Sequence, residues 1–91
     1  KIEITNDVPL KIFPNPLQSK TSIGINLNNT ELITIELCNE VGQIVKEILK
    51  KEMPEGYNEV YFSSDDLAHG TYYIFVKDSS NKIKFTSKLI K

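Results

Sequence analysis

Residues 43–53, QIVKEILKKEM, decide whether this chain is all-β or a mixture of helix and strands. Taken alone, the stretch favours an amphipathic helix, because lysines and glutamates fill one face and apolar residues recur at helical spacing on the other: Ile44, Val45, Ile48 and Leu49. The flanking sequence favours a strand, since alternating runs lie on both sides and a glycine and a proline bound the stretch. We therefore predict a strand with a bulge.

Apolar and polar residues alternate with period two through most of the remaining chain, and turn-forming residues separate the runs. The run TYYIFV (71–76) is apolar on both faces, as expected of a central strand. In the closing run, Ile83, Phe85 and Leu89 are predicted to share an apolar face. Six or seven short strands, about 8–12 residues apart, favour an antiparallel β-sandwich.

The composition limits the classes of function that the chain supports. It has 91 residues, a net charge of −1 and 40% hydrophobic residues, which fits one small globular domain. All 11 basic residues are lysine, and the lack of arginine weighs against a nucleic-acid reader. No apolar run approaches the ~20 residues of a membrane-spanning helix. Because the first residue is Lys1 rather than methionine, we expect a piece of a longer or processed chain.

Three groups of side chains are candidates for reactive sites. His69 has no second histidine or reactive cysteine near it, which favours a turn residue. Asp65 and Asp66 are adjacent and lack the alternating oxygen ligands of a calcium loop, so loop or cap roles are favoured. Cys38 has no partner that would lower its pKa and is predicted to be a buried or half-buried structural thiol. We predict no catalytic, metal or cofactor site, hence no enzyme.

Two stretches leave their roles open. In FPNP (13–16), Pro14 and Pro16 lack backbone donors, so the segment is predicted to be a stiff extended link at a sheet edge or crossover. In the closing strand, Lys82, Lys84 and Lys88 are predicted to share a face. They either protect a sheet edge against pairing or form a docking face for an acidic partner.

The order of several short motifs points to a family. FPNP is followed by ITIELCNEVGQIV (33–45), EGYNEVYFS (55–63), LAHGTYYIFV (67–76) and the closing KLIK (88–91). Over residues 10–91 this series resembles the C-terminal sorting domain of type IX secretion cargo proteins from the Bacteroidota. The family pattern has a basic residue after the turn glycine and an aromatic residue before the turn, where this chain has Gln43 and Cys38.

The resemblance implies an immunoglobulin-like sandwich of about seven strands at the end of a larger cargo protein. Residues 1–9 would be a linker from the cargo and the start of the first strand, and residues 10–91 the sorting domain. The implied partners are the outer-membrane translocon and a sortase-like protease, with the cargo in the periplasm in transit and then at the cell surface or secreted. Recognition would involve the motif and closing-strand residues Pro14, Asn15, Pro16, Gly42, Gly70, Tyr72, Lys84, Lys88, Leu89 and Lys91.

A second class of function is a structural or adhesive immunoglobulin-like or fibronectin-like module of a cell-surface protein. The segment LAHGTYY (67–73) fits the tyrosine corner of those folds, in which a tyrosine hydroxyl bonds back to the preceding loop. We predict Tyr73 as that tyrosine. The lack of tryptophan and of a disulfide weighs against an antibody-type domain.

Overall fold

The computed structural model describes residues 10–13 and 20–91, and this part of the chain is all-β. It contains seven strands and no helix, which confirms the predicted fold class. The strands are β1 (Leu10–Phe13), β2 (Lys20–Leu27), β3 (Glu31–Asn39), β4 (Ile44–Met53), β5 (Gly56–Ser63), β6 (Thr71–Lys77) and β7 (Ile83–Ile90).

The strands form two antiparallel sheets that pack as a sandwich. One sheet has three strands in the order β1-β2-β5, and the other has four in the order β4-β3-β6-β7. Immunoglobulin constant-type domains place the fourth strand beside the fifth. Here β4 instead pairs with β3 and extends the second sheet. The doubly apolar β6 lies between β3 and β7, as predicted for a central strand.

The ambiguous stretch forms β4, and its backbone explains the helical spacing of its apolar residues. Its pairing with β3 shifts register twice, so that Ile48 and Val45 are extra residues without a partner in the ladder. Each such bulge moves the following side chains to the opposite face. Two insertions thus turn a period-two strand into a sequence with helical spacing. The predicted bulged strand is confirmed, with two bulges rather than one.

The core lies between the sheets and is made almost entirely of aliphatic side chains. β2 contributes Ile23 and Ile25 to it, and β6 contributes Ile74 and Val76. The complete buried cluster is Ile23, Ile25, Leu27, Ile33, Ile35, Leu37, Met53, Phe62, Tyr72, Ile74, Val76 and Leu89. Burial of this surface provides the main driving force for folding.

The start of β7 departs from simple alternation. Val76 lies opposite Phe85 and Lys77 lies opposite Ile83, with a register shift between the two pairs. Cross-strand partners share a face, so Phe85 faces the core with Val76, whereas Ile83 faces outward with Lys77 and is 50% exposed. The prediction that Ile83 shares the apolar face is therefore wrong, because the extra residue reverses the alternation.

Candidate functional site

The turn between β3 and β4 contains the predicted motif glycine. Gly42 has φ of +88°, a conformation that glycine adopts without strain. The Asn39 side-chain oxygen accepts hydrogen bonds from the backbone N–H of Val41 at 3.1 Å and of Gln43 at 2.9 Å. The Asn39 amide also donates to the Gln43 side chain at 2.9 Å. Gln43 thus helps to close the turn.

The loop between β5 and β6 is held by a lysine from a distant strand. Lys46 of β4 donates hydrogen bonds to the Ser63 carbonyl at 2.7 Å and to Asp66 Oδ1 at 2.9 Å. The Lys46 hydrogen bond is the largest effect that lowers the pKa of the Asp66 carboxyl below its ordinary value. The Leu67 N–H donates to the Ser64 carbonyl at 3.1 Å, which closes a turn over Asp65 and Asp66.

A tyrosine corner connects this loop to β6. The Tyr72 hydroxyl donates to the Ala68 carbonyl at 2.6 Å, and the Tyr72 side chain is buried. The prediction of Tyr73 for this role is wrong. Tyr72 has the same parity as the core-facing Ile74, whereas Tyr73 lies opposite Cys38 on the outward face.

The end of β7 is bonded to the same loop. Lys91 and Gly70 exchange backbone hydrogen bonds, and the Lys91 ammonium also donates to the Ser64 carbonyl. Leu89 is fully buried and lies opposite Tyr72. We call the surface formed by residues 39–43, residues 64–70 and Lys91 the terminal face. The motif residues Gly42, Gly70, Tyr72, Leu89 and Lys91 lie in it or directly beneath it.

The terminal face contains an open pocket of about 190 Å³. The β3–β4 turn forms one wall, where Val41 is 78% exposed. The exposed His69, a loop residue as predicted, lies on the other side. The lining residues are Asn39, Glu40, Val41, His69, Gly70, Thr71 and Tyr72. Two motifs that are far apart in the sequence thus border one concave surface.

The remaining predicted site residues lie elsewhere. Lys84 falls within the β7 register shift, far from Lys91 along the strand, and its ammonium lies 3.0 Å from Glu31 Oε2. Lys88 is exposed and lies opposite Tyr73 on the outward face of the sheet. Pro14, Asn15 and Pro16 fall outside the described residues.

Two of the candidate reactive residues, Cys38 and Asp66, are a buried thiol and an ion-paired carboxylate. Cys38 is 3% exposed, and desolvation is the main cause that raises the pKa of its thiol; of the predicted buried or half-buried structural thiol, the burial is confirmed. Asp66 pairs with Lys46 in the loop. Residues 10–13 and 20–91 contain no group of three or more His, Cys, Asp or Glu side chains arranged to hold a metal ion. The same residues include no helix with the length and apolar character needed to cross a membrane.

Lys46 has a role that sequence reasoning did not identify. Its acceptors are 17 and 20 positions away in the chain, so local spacing gives no sign of the contact. Lys46 also belongs to the bulged strand, where the number of extra residues determines which side chains face the loop. Only the β3–β4 register brings its ammonium to the loop.

The match to a known protein family covers nearly the whole chain. A family model described as a secretion system C-terminal sorting domain matches residues 11–91. A search of curated proteins gave no match. The matched span begins in β1 and runs through β7, so it includes both sheets and the entire terminal face.

Proposed function

Because the chain belongs to the family of secretion system C-terminal sorting domains, we propose that it directs the export of an attached cargo protein across the outer membrane. The family is that of type IX secretion, and its members are C-terminal sorting signals rather than catalysts. Such a signal implies export to the cell surface or secretion. In our proposal the domain folds in the periplasm, the outer-membrane translocon recognises it, and a sortase-like protease then removes it from the cargo.

The convergence of the family motifs on the terminal face is the observation that carries this proposal. The turn of Gly42, the loop before Tyr72 and the end of β7 are separate in sequence but border one surface. Core packing alone does not require an open pocket of about 190 Å³ or an exposed Val41 at this position. A receptor that recognises a folded domain requires a surface of defined shape that is fixed by contacts such as these.

The proposed recognition residues fall into two groups with different roles. Gly42, Gly70 and Lys91 shape the terminal face through backbone geometry and hydrogen bonds. Leu89 and Tyr72 support it from the core, so their substitution also alters folding.

The exposed lysines provide a second contact in the proposal. Lys88 lies on the outward face of β7, and Lys84 lies on the same strand beside Glu31. Pro14, Asn15 and Pro16 form the remaining motif of the proposal, and in sequence they belong to the connection between β1 and β2.

Fusion to a reporter tests the proposal. A monomeric fluorescent protein with an inner-membrane export signal is followed by residues 1–91 and expressed in a bacterium that has a type IX system. We expect the reporter at the cell surface or in the medium. The control strain lacks the translocon, and the control reporter lacks residues 1–91; both should retain the reporter in the periplasm.

Shortening of the secreted fusion to the mass of the reporter would support proteolytic removal of the domain. A folded fusion that stays in the periplasm of the secretion-competent strain would contradict the proposed function.

A further inference from the structure

The outward face of the three-stranded sheet carries three exposed aromatic rings. Phe13 and Tyr57 are each 56% exposed and Tyr61 is 55% exposed. Phe13 and Tyr61 lie on either side of Ser22 in one cross-strand row, and Tyr57 pairs with Asn26 further along the sheet. Cross-strand partners share a face, so the three rings surround small side chains of β2. We call this surface the aromatic face.

Exposed apolar residues are segregated by type between the two sheets. Every large exposed aliphatic side chain of the described residues lies on the four-stranded sheet or its β3–β4 turn: Leu32, Val41, Ile44, Val45, Ile83 and Ile90. The exposed aromatic residues all lie on the three-stranded sheet. The large exposed apolar side chains of the three-stranded sheet are therefore all aromatic rings.

Tyr57 lies flat across the middle strand. A Cβ atom at Gly24 would overlap the Tyr57 hydroxyl and ring, so the glycine leaves the space that the ring occupies. The Tyr57 hydroxyl donates to Glu59 Oε2 at 3.2 Å, and the Tyr61 hydroxyl donates to Glu59 Oε1 at 2.8 Å. One carboxylate thus holds both rings in place, and the outer side of Tyr57 faces solvent.

Hydrogen-bonding groups lie between and beside the rings. The Lys20 ammonium lies 5.2 Å from the centre of the Tyr61 ring, and that of Lys11 lies 5.3 Å from the centre of Phe13. Both distances fall within the range of cation–π contacts. The face therefore combines planar apolar surfaces with an acceptor, Glu59, and two donors.

We propose that the aromatic face binds a neutral polysaccharide. The apolar C–H side of a sugar ring packs against an aromatic ring, while its hydroxyls exchange hydrogen bonds with carboxylate, phenol and ammonium groups. Tyr57 provides the preformed stacking surface, Glu59 accepts a hydrogen bond from its hydroxyl, and Lys11 lies in the same cross-strand row as Glu59. A nucleic acid fits poorly, because a carboxylate occupies the centre of the face and the chain has no arginine.

The aromatic face is large enough to contact more than one sugar ring. The backbone positions of Tyr57 and Tyr61 are about 13 Å apart on β5, although both hydroxyls converge on Glu59, and Phe13 lies two strand spacings, about 10 Å, from Tyr61. This binding activity goes beyond the sorting function and uses a different surface, so each can fail without the other.

Affinity electrophoresis of the 91-residue chain tests the proposal. Native gels contain laminarin, galactomannan or arabinoxylan, and a gel without polysaccharide gives the reference mobility. We expect at least one polysaccharide to slow the chain, with Tyr57→Ala weakening the affinity about tenfold, the upper end for the loss of an aromatic contact. Gly24→Ala, which displaces the Tyr57 ring, should weaken it as well.

The matched control is Val41→Ala, which removes an exposed apolar side chain from the β3–β4 turn and should bind as the parent chain does. Tyrosine fluorescence gives a second readout, because the chain has no tryptophan. Normal mobility in all three gels would overturn the proposal, as would retardation that Tyr57→Ala leaves unchanged. Tyr57-dependent binding to phosphatidylglycerol vesicles or to a proline-rich peptide, without polysaccharide binding, would also overturn it.

Discussion

Gly70 and Lys91 exchange both of their backbone hydrogen bonds. The Lys91 N–H donates to the Gly70 carbonyl at 2.9 Å, and the Gly70 N–H donates to the Lys91 carbonyl at 3.1 Å. This pair follows the ladder pair of Thr71 with Ile90, so the β6–β7 ladder continues into the loop. The glycine motif and the closing KLIK motif are therefore parts of one hydrogen-bonded unit.

A chain that stops at Ile90 should lose order in the loop before β6. It lacks both backbone bonds to Gly70 and the ammonium bond to the Ser64 carbonyl. At about 0.5–1.5 kcal/mol for each of the three bonds, the free energy of unfolding should fall by roughly 1.5–4.5 kcal/mol in urea titration. Hydrogen exchange should show faster exchange of the Gly70 amide.

The matched control for that truncation is Lys91→Met, which keeps the backbone bonds and removes the ammonium group. It should retain most of the protection of the Gly70 amide. Equal exchange rates at Gly70 in the parent and the truncated chain would contradict the role given to Lys91.

Tyr72→Phe should destabilise the domain by about 1 kcal/mol, because it removes the hydroxyl that donates to the Ala68 carbonyl. Tyr73→Phe removes the same group from the next residue, which lies on the outward face, and should change the free energy of unfolding less. Urea unfolding of both variants gives the comparison. A larger loss for Tyr73→Phe would exclude Tyr72 as the tyrosine of the corner.

The Cys38 thiol should react slowly while the domain is folded. Its pKa is raised, first by desolvation and then by the charge of Glu36, so less thiolate is present near pH 8 than for an exposed cysteine. We expect Ellman's reagent to react with Cys38 far more slowly in buffer than in denaturing urea. Since the folded pKa lies above the unfolded one, stability should fall as the pH rises above the unfolded pKa of about 8.5.

A Cys38→Ser variant is the control for reagent background and for the pH dependence, which should become weaker between pH 8 and pH 10. Rapid labelling of the native chain at the rate of a free thiol would contradict the buried position of Cys38.

The exposed lysines of β7 can be tested without changing chain length. Lys84→Gln together with Lys88→Gln removes two charges and the Lys84–Glu31 ion pair, which is worth about 0–1 kcal/mol at the surface. If these lysines contact the translocon, secretion of the reporter falls while the thermal midpoint stays nearly constant. Full secretion with increased aggregation of the isolated domain would instead identify them as edge protection. Lys50→Gln with Lys51→Gln, on the other edge strand, is the matched control.

The strands can be predicted from the sequence because period-two alternation and turn-forming residues are local features. Bulges are harder to predict from the sequence, since the position of an extra residue depends on how the partner strand pairs. The two bulges in β4, at Ile48 and Val45, give its apolar residues helical spacing. The register shift in β7 turns the Ile83 side chain to the outward face. The prediction of Tyr73 is wrong because Tyr72, not Tyr73, lies on the same side of β6 as the core-facing Ile74.

The terminal face was only partly predictable for a related reason. Motif order identified Gly42, Gly70 and Lys91, but their common location depends on the pairing of β3 with β6 and of β6 with β7. The Lys46 contacts depend on the bulged register of β4. The location of these residues and contacts thus depends on pairing between strands, which no local sequence pattern shows.

Secretion of the reporter fusion with a charged terminal face tests the central claim most directly. Val41→Glu with His69→Glu adds two charges to exposed side chains beside the pocket. Asn29→Glu with Ser79→Glu adds the same charge to exposed turns at the opposite end of the sandwich. Both variants should stay within about 0.5 kcal/mol of the parent in stability for each substitution. We predict that the first pair retains the reporter in the periplasm and that the second secretes it normally. Normal secretion of a folded Val41→Glu, His69→Glu fusion would contradict recognition at the terminal face.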